Sequence, residues 1–173
     1  MSSKEIENSL ETILTKYSES FSEKVFSEQS SAEDDLMRVF GLTQEMKSNN
    51  RQYWGRELGA CWERLVKELC QLTCDRFQEP HNTSYDLAIA NDAIDTKYRL
   101  GSGDAKTLRG FKHNAQILID EGFNPIMLIV RTDNLSQAIR ACISGGWQVK
   151  VGDEAYQYLY QQTQFDLKKM VAR

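Results

Sequence analysis

The chain has 173 residues, 40% hydrophobic and 27% charged, with ten Gly and two Pro; that length can bury a full core in one domain, and the composition excludes disordered and fibrous classes. No apolar run approaches the ~20 residues of a membrane-spanning helix, and the opening MSSKEIENSL lacks the apolar stretch of a signal peptide, so a cytoplasmic protein is expected. The net charge of −4 hides an asymmetry: residues 1–36 carry −6, the remainder +2, and Thr96 to Asn114 alone set five cations against Asp104.

In chain order, residues 2–29 place Ile6, Leu10, Ile13, Leu14, Tyr17, Phe21, Val25 and Phe26 three or four apart, which predicts one or two amphipathic helices. SEQSSAEDD then breaks the pattern and caps a further short helix, AEDDLMRVFGL. This acidic segment, residues 1–50, reads as peripheral to a core spanning 51–173. Packing, a dimer contact and a DNA grip all stay open as its role. Helical period resumes from Asn50 to Cys74. TSYDLAIAND and AIDTKYRL alternate with period two around the polar step AND, as a β-hairpin does. GSGD is a hinge whose Asp104 can cap the helix AKTLRGFKHNAQILIDEG. NPIMLIVR has the continuous apolar character of a strand covered on both faces. A helix with a Gly stop (DNLSQAIRACISGG), a strand (WQVKVG) and a terminal helix (DEAYQYLYQQTQFDLKKM) complete the chain. The expected class is α/β, with a mixed central sheet that is antiparallel in the hairpin and parallel beyond it, flanked by helices.

Cys61, Cys70, Cys74 and Cys142 lie in apolar, helix-like stretches and read as reduced thiols. Cys70 and Cys74 share a helix face, but without a CxxC pair and with His81 and His113 far apart, zinc is not indicated.

The chemistry concentrates in the hairpin. Side chains two apart on a strand share a face, so Asp95 and Lys97 emerge together, and the hairpin can bring Asp86 beside them. Two adjacent carboxylates repel one another, and a divalent cation relieves the conflict; hard oxygen ligands in small number suit Mg²⁺. Lys97 can then assist a water or stabilise charge on a phosphate. Taken singly, Asp95 and Lys97 also read as a surface ion pair of ~0–1 kcal/mol, Asp86 as a turn former, and Glu57 and Glu63 as solvent-facing helix residues.

Asp86, eight intervening residues and then Asp95-Thr96-Lys97 resembles the PD-(D/E)xK nucleases, with Tyr85 where the family has Pro. The resemblance implies a restriction-endonuclease-like core, Asp86 and Asp95 as Mg²⁺ ligands and Lys97 as the catalytic lysine. Members often carry a Glu on the helix before the hairpin, and GACWE offers Glu63, preferred over Glu57 of GREL. The run DTKYRLGSGDAKTLRGFKHNAQIL, with PIMLIVR and GGWQV, is similar to the ApaLI-like restriction endonucleases. That likeness implies a prokaryotic homodimer cleaving a short palindromic site in double-stranded DNA, with no organic cofactor. A repair or junction-cleaving nuclease, or a non-catalytic DNA-binding module, are the alternatives on one scaffold.

Lys106, Arg109, Lys112 and His113 are spaced to form one stripe toward phosphates, with Arg99 just before them. Asn114 and Gln116 are candidates for reading base edges. Without an active site beside it, the same stripe is an ordinary solvated face. Trp147 reads as core.

Overall fold

In the computed structural model, which describes residues 1–22, 34–48 and 51–173, the first apolar spacing becomes helix α1 (Ser3–Ser22). Its buried stripe of Ile6, Leu10, Ile13 and Phe21 packs on the long helix α4 (Arg51–Thr73). Between them lie α2 (Asp35–Val39), opened by the Asp34 carboxylate accepting from the Met37 amide at 2.9 Å, and α3 (Gln44–Ser48). Leu36, Met37 and Leu42 are almost fully buried in the same core as Trp54, Leu58 and Trp62 of α4. The acidic segment is therefore not peripheral. Each buried Leu, Met or Phe contributes about 1.5–3 kcal/mol, so the described part of residues 1–48 is integral to the core. The end of the first predicted helix and most of SEQSSAEDD fall outside the described residues.

Five strands form one sheet in the order β1-β2-β3-β4-β5. β1 (Phe77–Gln78), β2 (Leu87–Ile89) and β3 (Asp92–Lys97) are antiparallel; β4 (Asn124–Ile129) and β5 (Gln148–Val151) continue in parallel. The mixed sheet is as expected, apart from β1, a two-residue strand too short to leave a period-two signal. Period-two alternation sorts the central side chains. Leu87, Ile89, Ile94, Ile126, Leu128 and Val130 face the layer of α1, α2, α4 and the terminal helices, whereas Ala88, Ala93, Met127 and Ile129 face α5 (Ala105–Asp120) and α6 (Ser136–Gly145). Small residues on the second face let α5 and α6 sit close. A Cβ on Gly145 would come within 2.9 Å of the Lys112 Cα, and Gly146 ends α6 at φ 117°, where only glycine is unstrained.

Asp104 caps α5 as expected, accepting from the Thr107 amide at 3.2 Å. The predicted terminal helix is two: α7 (Asp153–Thr163) stops at Gln164 with φ 58°, and α8 (Leu167–Val171) restarts on the cap Asp166. The hairpin turn is tighter than the AND step, comprising Ala90 and Asn91 alone, with Asp92 already in β3. Ala90 sits at φ 54°, a region that costs an L-residue about 1–2 kcal/mol and glycine nothing. Ala90→Gly is therefore expected to stabilise the fold by about 0.5–1 kcal/mol after the added chain entropy. A urea midpoint at or below the parent's would contradict that.

Candidate active site

β2 and β3 part company one residue before Leu87, and the site forms in the notch they leave. The Asp86 amide still donates to the Ile94 carbonyl at 2.8 Å. Its carboxylate then takes the place of the next ladder carbonyl: Oδ2 accepts from both the Thr96 amide and the Thr96 hydroxyl, each at 2.7 Å. Asp86 thus precedes the first hairpin strand rather than beginning it. Across from it, Asp95 and Lys97 share the sheet face of Ala93, and the Lys97 Nζ stands 3.1 Å from Asp95 Oδ2. Cys142 of α6 lies behind them, its thiol pushed up to about 11 by burial with a further push from the Asp95 charge.

Burial lifts the Asp95 carboxyl to about 7, with Lys97 opposing and the neighbouring Asp86 charge adding to the rise. Burial also works against the Lys97 charge, yet Asp95, Asp86 and Glu63 together hold its ammonium above the ordinary range. The notch therefore holds a carboxylate that is costly to ionise beside an amine that stays charged. Unfolded, Asp95 titrates near 3.8, so between about pH 4 and 7 the folded chain binds more protons and stability falls as pH rises through that window. Asp95→Asn should accordingly be more stable than the parent at pH 8, on the order of 1–3 kcal/mol. That advantage should vanish near pH 4; thermal unfolding at both pH values checks it, and an advantage independent of pH would contradict it.

The two candidate helix carboxylates have different neighbours. Glu63 is half-buried on α4, its carboxyl raised by burial and by the Asp86 charge, with Lys67 and Lys97 pulling the other way. Glu57 lies 3.9 Å from Arg56 and acts on Tyr17 and Tyr53, toward α1. Glu63 thus joins Asp86 and Lys97, and Glu57 does not. As a donor set, the three acids are all oxygen, which suits Mg²⁺ rather than a softer ion. Among the described residues no group of three or more His, Cys, Asp or Glu stands ready to hold a metal. The residues that would hold one are Asp86 and Asp95, whose charges act on each other, with Glu63 beside Asp86.

The residues of the predicted stripe are all exposed along α5. Lys106, Arg109, His113 and Gln116 follow one exposed line along α5. Lys112 is exposed too, but its backbone lies over Gly145 on the flank beside α6, and Asn114 is half-buried on the other flank. The Gln116 amide is held by Asp120 at 2.7 Å, and Arg99 donates to the Asp133 carbonyl at 2.9 Å. The parallel β3-α5-β4 topology puts the first turn of α5 at the sheet end that carries Lys97. Trp147 is core, its indole donating to the Phe111 carbonyl at 2.8 Å.

Two groups next to the site were not anticipated. Tyr85 is buried, its hydroxyl 2.7 Å from His81 Nδ1, while His81 Nε2 lies 2.9 Å from Glu121, tying the loop before Asp86 to the end of α5. Beyond Lys97, the Tyr98 hydroxyl donates to Asp34, and Lys47 donates to Tyr98 at 2.7 Å. Arg131, only 5% exposed, bonds Asp34 at 3.0 Å and Asp133 at 2.7 and 2.9 Å. Burial and the Arg131 charge bring the Lys47 amine down to about 8. Backbone bonds from Val130 to Lys97 and from Arg131 to Tyr98 tie this cluster to the end of β3. No helix among the described residues is long and apolar enough to cross a membrane. No family model, characterised protein or solved structure matches the chain.

Proposed function

We propose that the protein is a Mg²⁺-dependent endodeoxyribonuclease of the type II restriction kind, hydrolysing phosphodiester bonds at a short specific site in double-stranded DNA. The observation that carries the reading is the meeting of Asp86, Asp95, Lys97 and Glu63, drawn from α4, the loop before β2 and β3, in one notch. That is the set which the resemblance to PD-(D/E)xK nucleases names.

Asp86 and Asp95 would hold the cation, with Glu63 in support. A bound Mg²⁺ supplies neutralising charge for the phosphate and acidifies a water. It would also relieve the strain on Asp95, which among the described residues has Lys97 alone to offset the Asp86 charge. Lys97, kept as an ammonium by three carboxylates, donates hydrogen bonds: it orients the attacking water and stabilises charge building on the phosphoryl oxygens. The exposed line of Lys106, Arg109 and His113 supplies sequence-independent phosphate contacts, so duplex affinity should fall steeply with salt. A homodimer fits a palindromic site.

The test is cleavage of a long mixed-sequence duplex beside a branched junction of the same sequence. Discrete duplex fragments with 5′-phosphate ends are expected. Cutting confined to the junction would place the protein with junction-cleaving nucleases, and salt-sensitive binding without cutting would make it a binding module.

A further inference from the structure

The middle residue of Asp95-Thr96-Lys97 is left unassigned by a motif that names only its neighbours, yet it makes the shortest polar contacts in the notch. Thr96 is 7% exposed, and its amide and hydroxyl both reach one oxygen, Asp86 Oδ2, at 2.7 Å each. The Asp86 amide is also bound to β3, through Ile94 at 2.8 Å. Three hydrogen bonds to neighbouring residues of one strand fix the backbone of Asp86 and the plane of its carboxylate. Two of them occupy both lone-pair directions of Oδ2. Only Oδ1 remains for the Asp95 side and for a cation shared with it.

From this geometry we infer that Thr96 is the positioning residue of the site, holding Asp86 by Oδ2 so that it meets a divalent cation through Oδ1 alone. The inference rests on the metal-centre reading given above. Threonine suits the task on two counts. Its β-branched side chain favours the strand and restricts χ1, and its hydroxyl adds a second donor where the ladder has ended. Valine keeps the shape and loses that donor, whereas serine keeps the donor and loses only a methyl. Partners that orient a metal ligand typically change affinity by about 10–100-fold when removed.

The deciding measurement is Mn²⁺ binding without DNA, followed by electron paramagnetic resonance of the free ion, so that no catalytic turnover is needed. Parent, Thr96→Val, Thr96→Ala, Thr96→Ser and Asp86→Asn are compared, with thermal unfolding run beside each. Thr96→Val is expected to raise the Mn²⁺ dissociation constant about tenfold or more while its unfolding midpoint stays near the parent's, and Thr96→Ser should restore binding. Should Thr96→Val fold poorly, the contrast between Thr96→Ala and Thr96→Ser carries the same comparison. Parent-like Mn²⁺ binding in folded Thr96→Val or Thr96→Ala overturns the inference and leaves the metal centre standing. A parent that binds no Mn²⁺, indistinguishable from Asp86→Asn, removes the metal centre and the role of Thr96 together.

Discussion

Lys97→Ala is expected to lower the rate of DNA cleavage by about 10²–10³-fold, the range for removing one donor aimed at charge that develops in the transition state, while duplex affinity stays close to the parent's. The separation follows from where Lys97 sits. Its amine is 3.1 Å from Asp95 and its side chain is about one-third exposed (36%), so it adds little to a binding face that lies along α5. Lys97→Arg should not rescue the rate, because a planar guanidinium cannot place a donor where a compact ammonium did. Single-turnover cleavage at saturating protein measures the rate, and binding in Ca²⁺ measures the affinity. A variant that loses affinity and rate in equal proportion would make Lys97 a phosphate contact instead.

Arg131→Ala is expected to cost about 3–5 kcal/mol of stability, the range for breaking a buried ion pair from one side. Against a typical total of about 5–15 kcal/mol, that leaves the protein marginal. The Asp34 carboxylate, 10% exposed, would keep the Tyr98 hydroxyl, the Met37 amide and the nearby Lys47 charge, but lose its only salt bridge among the described residues. Because Asp34 caps α2 and Lys47 ends the network on α3, the loosening should reach residues 34–48 first. Arg131→Lys should recover part of the loss, since an ammonium cannot make the paired bonds to Asp133. Urea unfolding gives the total, and amide exchange gives the location. A change under about 1 kcal/mol, the worth of a surface pair, would mean that the network does not clamp the N-terminal segment.

What was legible in the sequence was mostly local. Asp95 and Lys97 share a face because strands alternate, and Asp104 caps α5 because a carboxylate stands three residues before Thr107; both follow from spacing alone. Glu63 needed the helix register to tell it from Glu57, and the sequence could only prefer it. The union of Asp34 with Arg131 spans 97 residues, so no local pattern carries it. The same distance hid the integration of the N-terminal segment, whose acidity suggested a solvated appendage although its apolar stripe was in plain view. Lys112 stays exposed at the edge of the predicted stripe, and what the sequence did not announce is that Gly145 lets α6 sit against its backbone. The break between α7 and α8 has no Gly or Pro to announce it. Its one local signal is Asp166, which caps Lys169 at 2.9 Å. Thr96 was in the motif throughout, but its meaning depends on β2 starting only at Leu87, which no residue type announces.

The central claim is that the notch holds a metal-dependent phosphodiesterase centre. Its most direct test is incubation of the purified protein with a long mixed-sequence duplex in Mg²⁺ and in EDTA, beside Asp95→Ala. Discrete fragments that require Mg²⁺ and disappear in Asp95→Ala are predicted. Intact DNA in every lane, or fragments that persist in EDTA or in the variant, would contradict it.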